Sequence, residues 1–247
     1  WLPRLRRVCF PALAGLGRPD HVALTLDDGP DPRSTPLFLD VLEALSAHAT
    51  FFVLGESVRY HPELTREIAE RGHELAVHGW THSRRWLPAV TTDIRELAAA
   101  VRVVRRAVGV VPRWYRPPRG VLTGSRWAAA AAVGLRPVLW SAWGRDWTAE
   151  ATPYSVLRTV RRDLGGGGTV LLHDSDRASA PGCWRASLAA LPVLVAECRA
   201  AGIEVGPLAE HGISGRARLR MPPGGPRGTG KEARADGVPG TGGGHGR

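Results

Sequence analysis

No apolar run in the 247-residue chain approaches the roughly 20 residues that cross a bilayer, so no membrane-spanning helix is expected in it. Methionine is scarce, at one residue, and the chain opens on Trp1-Leu2-Pro3-Arg4-Leu5-Arg6-Arg7 without a long apolar stretch behind it. That opening is not a complete secretory signal; it fits the remnant of a trimmed signal or of a membrane anchor. Cysteine is scarce too. Cys9, Cys183 and Cys198 make an odd count without metal-like spacing, which excludes a complete disulfide set and a cysteine metal centre. Cys198 falls on the inner face of a helical pattern, so buried free thiols are expected at Cys183 and Cys198. The glycine run Gly165-Gly166-Gly167-Gly168 lacks the G-K-[ST] of a phosphate loop and precedes a strand pattern, so it reads as a turn.

Acid is in deficit: 23 Asp and Glu against 33 Lys and Arg leave a net charge of +10. The excess is uneven. Residues 215–247 carry seven Arg or Lys against Glu232 and Asp236, a net of +5, among 11 Gly and 4 Pro. Such a stretch buries too little apolar surface to order itself and is expected to be disordered. No nucleic-acid partner is inferred from that charge. An Arg-rich tail suits an anionic wall or membrane surface, or has no partner at all. The expected division is an N-terminal extension over 1–19, one domain over 20–210 and a disordered Gly/Pro/Arg-rich tail over 211–247, in a monomer.

What is present is an alternation of strand and helix. Apolar runs predict strands at 22–26, 50–54, 74–77, 113–115, 137–140, 169–172 and 203–205. Helical spacing predicts helices at 35–47, 62–72, 92–108, 125–134, 153–164 and 184–201, the last interrupted or begun anew near Pro192. Alternation of this kind argues for an α/β fold, a closed or nearly closed β/α barrel of about seven parallel strands with outer helices. The residues with chemical potential fall at the strand ends: Asp27, Asp28, His78, Arg116, Asp146 and His173. In such barrels that face holds the active site.

Leu24-Thr25-Leu26-Asp27-Asp28-Gly29-Pro30 delivers two adjacent acids to the end of a buried strand. Paired acids are tolerated where a cation or proton lies between them. In His78-Gly79-Trp80-Thr81-His82 two imidazoles stand four apart, a spacing that puts both on one side of a helical turn. With Asp28 as the carboxylate they form a two-nitrogen, one-oxygen set for a divalent metal; zinc suits it, as do iron and cobalt. His173 at the barrel mouth is a candidate general acid. Arg116, between Tyr115 and two prolines, is a candidate partner that orients an acid and keeps it ionised. Asp146 is a candidate to buffer and orient His173, with Trp147 as an apolar wall. His21, His48, His61 and His211 lack sequence partners and are expected on the surface, whereas His73 reads as structural. Trp80, Trp86, Trp143 and Trp147 fit either the core or a sugar-stacking surface.

The set Asp27-Asp28-Gly29, His78-x-x-x-His82, Arg116-Pro117-Pro118, Asp146-Trp147 and Val170-Leu171-Leu172-His173 resembles, in order and spacing, the polysaccharide deacetylase family (the NodB-homology domain, carbohydrate esterase family four) over about residues 20–207. The resemblance implies a distorted β/α barrel and metal-dependent removal of acetyl groups from N-acetylated sugars such as peptidoglycan or chitin-like chains. It implies Asp27 as general base, Asp28, His78 and His82 as metal ligands, and Arg116 as the residue holding Asp27. His173 becomes the general acid, tuned by Asp146; Trp147 and Leu171 line the acetyl pocket; the backbone N–H of Arg119 meets the oxyanion. An extracellular or cell-envelope location follows from the same resemblance.

Three positions depart from the family's pattern. Gly79 stands where Ser or Thr is usual, Trp143 where the first Asp of D-x-x-D-W is common, and Arg119 where an aromatic is usual. Arg119 places a cation at the cleft mouth, from which we expect a preference for acidic or lactyl-bearing sugars. Two other readings remain: a hydrolase of another C–N bond, in a small amide or imide, with the same metal site; and a catalytically weak carbohydrate- or wall-binding protein. Substrate range is expected to lie in the loops 84–90 and 176–183.

Overall fold

The computed structural model describes residues 3–82 and 87–213, with side chains from Leu5 onward. Residues 84–86 of the loop 84–90, Trp86 among them, and the tail beyond 213 lie outside the described residues. The described residues fall within one compact unit.

Strand β1 (His21–Asp27) is buried at every residue and lies at the centre of a parallel sheet. Burial on both faces is why its sequence is a near-continuous apolar run rather than an alternating one. On one side it pairs with β2 (Thr50–Leu54), then β3 (Glu74–Gly79), β4 (Trp114–Tyr115) and β5 (Arg136–Pro137). On the other it pairs with β7 (Thr169–His173), which pairs with β6 (Ala142–Trp143); the short β8 (Glu204–Gly206) also joins β1. The sheet curls into a half-barrel whose two edges are β5 and β6. Register sets the site: Asp27 is level with His173 on β7 and with Phe52 on β2, and Val77, beside His78, is level with Tyr115, beside Arg116.

The helices cover the outside. They are α1 (Pro3–Cys9), α2 (Thr35–Ala44), α3 (Gly55–Tyr60), α4 (Pro62–Glu70), α5 (Val90–Val108), α6 (Gly124–Ala132), α7 (Pro153–Asp163) and α8 (Trp184–Ala200). Local chemistry sets several of their ends. Thr152 and Ser155 form a reciprocal capping box at the start of α7, and Gly109 ends α5 in the left-handed region at φ 75°. Phe38, Leu39 and Leu42 of α2 and Leu191, Leu194 and Val195 of α8 pack with Leu24, Leu26 and Leu172 in one core cluster. Burying each such side chain contributes about 1.5–3 kcal/mol.

Four expectations need correction. The strand expected at 137–140 is two separate dipeptides, β5 and β6, because residues 138–141 cross between the sheet's two edges instead of joining a ladder. The helix expected to break near Pro192 is continuous: Pro192 faces solvent, while Leu191, Leu194 and Val195 hold the buried face. Helix α3, absent from the expected helices, begins directly at the end of β2. His21 and His211 are fully buried, not on the surface; they face each other, Nδ1 to Nδ1, at 2.8 Å. Other readings hold. Cys183 and Cys198 are buried free thiols, and Cys9 is free and exposed. His73 is buried and its Nδ1 accepts from the Ala49 N–H at 3.2 Å. Residues 165–168 form a turn.

Candidate active site

At the C-terminal mouth of the sheet the two adjacent acids part company. Asp28 has φ 82°, a left-handed conformation that turns its side chain away from that of Asp27. Asp27, 2% exposed, accepts from Arg116 Nη1 at 2.7 Å. Arg116 is fully buried; its Nη1 also reaches Thr25 Oγ1 at 2.8 Å and its Nη2 donates to the Leu139 carbonyl at 2.8 Å. Its guanidinium lies 4.0 Å from the centre of the Phe52 ring. Burial lowers the Arg116 pKa, and the Asp27 charge opposes that drop. Held in this way, the arginine orients one Asp27 oxygen and leaves the other facing the cleft.

Asp28 faces the histidines. Its Oδ1 lies 3.4 Å from His78 Nε2 and 3.7 Å from His82 Nε2, and all three donor atoms fall within 4.8 Å of one another. Burial alone would raise the Asp28 carboxyl; the His78 contact and the charges of His173, His78 and His82 outweigh it and bring the group down to about 2. Burial and the neighbouring His78 push His82 down to about 4, so its imidazole is neutral and its lone pair available. Both Asp28 oxygens are buried without a hydrogen-bond partner among the described residues. Buried anionic oxygens without donors, aimed at two imidazole nitrogens, are what a divalent cation would satisfy. Gly79, between the histidines, has φ 135°, and a Cβ there would come 3.2 Å from the Thr81 carbonyl oxygen. A side chain at this position would strain the turn that brings His82 back toward His78.

His173 stands on the opposite wall. Its Nδ1 lies 2.8 Å from Asp146 Oδ1, and its backbone N–H donates to Asp146 Oδ2 at 2.8 Å. Ser187 donates to the same Oδ2. Burial pulls the His173 imidazole down, but the Asp146 charge and hydrogen bond overcome it and raise the pKa to about 10. With Nδ1 engaged by Asp146, Nε2 is the nitrogen that carries a transferable proton. Asp174, the next residue, is fully buried; desolvation raises it to about 7 against the hydrogen bond from Thr35. A Cβ on Gly29 would fall 2.3 Å from Asp174 Oδ2, which is why the acid pair is followed by glycine.

These walls enclose a cavity of about 230 Å³, lined by Asp27, Asp28, His78, His82, Arg119, Trp147, Leu171 and His173. Full ligand pockets run from roughly 300 to 1,000 Å³, so this one suits part of a substrate, with the remainder outside. Arg119 has φ 59°, in the short 3₁₀ turn Pro118–Gly120. Arg116 and Asp146 lie behind the walls rather than in them. Trp143, read from sequence as either core or sugar-stacking, lies at the cavity, as does Trp140, which was not singled out; the Trp140 ring stacks on Trp143 at 5.8 Å, and Trp143 meets Trp147 at 5.1 Å. Trp140 closes an apolar run, the same signal that marks His173. Thr25 and Ser187, which hold Arg116 and Asp146, carry no comparable signal.

A donor cluster at the strand-end mouth of a curled parallel sheet, with a charged histidine opposite, places the chain among hydrolases that work at a metal site. Comparison with known proteins narrows the class. The polysaccharide deacetylase family profile matches residues 15–138. A chitooligosaccharide deacetylase of Bradyrhizobium is 37% identical over 196 residues, 76% of this chain and 88% of that protein. The peptidoglycan-N-acetylmuramic acid deacetylase PdaC of Bacillus subtilis is 32% identical over 159 residues, 64% of this chain but only 33% of the longer relative. A solved peptidoglycan N-acetylglucosamine deacetylase superposes with a TM-score of 0.77 at 26% identity, over 88% of this chain and 100% of that one. The chain belongs to the polysaccharide deacetylase family, carbohydrate esterase family four.

Proposed function

We propose that this deacetylase hydrolyses N-acetyl groups on GlcNAc-type carbohydrate, peptidoglycan or a chitin-like chain, releasing acetate outside the cell or in its envelope. The observation that carries the reading is the pairing of a donor-less buried carboxylate, Asp28, with two imidazole nitrogens across a cavity from a protonated His173. Asp28, His78 and His82 would hold a divalent metal, zinc by preference and cobalt or iron by the same donor chemistry. The chemistry such a metal supplies is Lewis-acid polarisation of the acetyl carbonyl and acidification of water.

The chain's own groups supply the rest. Asp27, kept ionised and oriented by Arg116, takes a proton from water as its oxygen adds to the acetyl carbon. The Arg119 backbone N–H, in its left-handed turn, donates to the oxygen on which charge develops. His173 gives its Nε2 proton to the sugar nitrogen as the C–N bond breaks, so that acetate and a free amine leave. Asp146 holds the His173 tautomer through Nδ1. Trp147 and Leu171 wall the pocket around the acetyl methyl.

The test is acetate release from N-acetylglucosamine oligomers and from peptidoglycan, with zinc or cobalt, with chelator, and for Asp27→Asn. Metal-dependent acetate that falls on the order of a hundred- to ten-thousand-fold in the variant is the expected result. No acetate from either substrate, with metal bound, would overturn the substrate class and turn attention to small amides. We further propose that Arg119, at the cavity wall, favours acidic or lactyl-bearing sugars. Arg119→Tyr is expected to lower the rate ratio of acidic to neutral substrates; an unchanged ratio removes the idea.

A further inference from the structure

The curled sheet has a seam. Its edges β5 and β6 are joined by residues 138–141, and Trp140, which walls the cavity, lies in that crossing. The crossing gets little from the ladders: Val138 N–H reaches the Tyr115 carbonyl at 2.9 Å and Ser141 N–H the Thr169 carbonyl at 3.0 Å. Between them the chain is held by groups that are not in the sheet. Leu139 N–H donates to the Leu13 carbonyl at 2.8 Å. The Leu139 carbonyl accepts from Arg116 and the Trp140 carbonyl from Arg6 Nη2, at 2.8 and 2.6 Å. Arg6 belongs to α1, lies before the residues matched by the family profile, and is only 8% exposed.

Two guanidiniums therefore hold successive carbonyls, and both stand close to the same indole. Arg6 is 5.7 Å and Arg116 5.8 Å from the centre of the Trp140 ring. A Cβ on Gly120 would come within 2.7 Å of that ring, so Gly120 also packs closely against the indole. A charged hydrogen bond to a backbone carbonyl, sheltered from water, is among the stronger single contacts a side chain makes.

We propose that the N-terminal segment closes the open seam of the sheet and that Arg6 is a positioning residue, fixing Trp140 as a wall of the substrate pocket and steadying the Leu139 carbonyl on which Arg116 rests. The role of Trp140 as a substrate wall rests on the deacetylase reading; the closing of the seam does not. Arg6 touches no reacting atom. Its loss should loosen a binding surface that serves ground state and transition state alike, and so raise KM more than it lowers kcat.

The test uses the full chain. Arg6→Met keeps the length of the side chain and removes its charge and donors. It is expected to raise KM for an N-acetylglucosamine oligomer roughly tenfold, one charged hydrogen bond's worth, with kcat changed by less than about threefold. Arg6→Lys, which keeps a donor and the charge, is expected to recover most of that loss. In a Trp140→Phe background, where the indole is already lost, Arg6→Met should add less than about twofold, since contacting residues couple. Hydrogen exchange at the Leu139 amide, bonded to Leu13, should quicken in Arg6→Met. If Arg6→Met fails to fold, Arg6→Gln, which keeps a neutral donor, is measured alone and in the Trp140→Phe background, and the same KM comparison decides the matter. Unchanged KM, full additivity with Trp140→Phe, or kcat falling in step with thermal stability while KM stays fixed would overturn the proposal. If the unaltered protein releases no acetate, the deacetylase reading fails on its own, and exchange at Leu139 still reports on the seam.

Discussion

Two carboxylates side by side at the end of a buried strand would ordinarily repel until one takes up a proton. Here the two acids have different partners: Asp27 has the Arg116 guanidinium at 2.7 Å, and Asp28 has two imidazole nitrogens within 4 Å. His173 opposite has the inverse arrangement, an imidazole kept charged by Asp146 and raised to about 10. The pair sets a pH profile. If His173 is the acid, as proposed, its raised pKa keeps it protonated through neutral pH, and the rate should fall only as pH climbs toward that pKa. Asp146→Asn removes the charge that raises it, so the alkaline limb should move to lower pH. The maximal rate should fall about 10- to 100-fold, the range for partners that orient a functional histidine. Rate profiles of the two proteins from pH 6 to 10 check this; an alkaline limb that stays in place would show that His173 is not the titrating acid.

At the scale of elements, local signals and distant partners explain what could be read in advance. Each site residue follows an apolar strand, and the strands alternate with amphipathic helices, so Asp27, His78, Arg116 and His173 could be assigned to one face before any coordinates. The seam at 138–141 could not, because its carbonyls are held by Arg6 and Arg116 from remote parts of the chain. Pro192 argued for a helix break that the buried Leu191, Leu194 and Val195 overrule. His21 and His211 are 190 residues apart, and nothing near either one announces the other.

That histidine pair has a measurable consequence. His211 Nε2 faces the carbonyls of Gly15 and Gly167, both at 3.1 Å, so Nε2 carries the proton and Nδ1 accepts from His21. Burial lowers both pKa values, His211 to about 4; Arg18 lowers them further, and Glu210, Glu204 and Asp20 oppose this at His21. In the unfolded chain both titrate near 6.5. Between the two values the unfolded state binds more protons, so stability is full above about pH 6.5 and is lost as pH falls toward 4. Each group contributes at most about 1.4 kcal/mol per pH unit in that window. Thermal midpoints at pH 7.5, 5.5 and 4.5 should therefore descend, and less steeply in His211→Gln. Equal slopes in the two proteins would show that the pair is not responsible.

At the scale of the whole molecule, the parallel sheet collects its chemistry on one rim, and the cost is a set of desolvated charges. Asp28, at 1% exposure with neither oxygen hydrogen-bonded among the described residues, is one of them. A cation that binds the folded chain and not the unfolded one stabilises it by mass action, by about 2.7 kcal/mol at a hundredfold excess over Kd. For a chain of this size each kcal/mol is worth roughly 2–4 °C. Zinc should accordingly raise the thermal midpoint by several degrees and chelator should return it to the metal-free value, with no substrate present. Asp28→Ala removes one of the three proposed ligands and should leave the midpoint nearly indifferent to zinc. Asp27→Asn leaves Asp28, His78 and His82 intact, so its midpoint should still respond to zinc even as acetate release is lost. That separation of binding from turnover divides the two acids: a midpoint in Asp28→Ala that still rises with zinc would place the metal elsewhere, whatever the activity does.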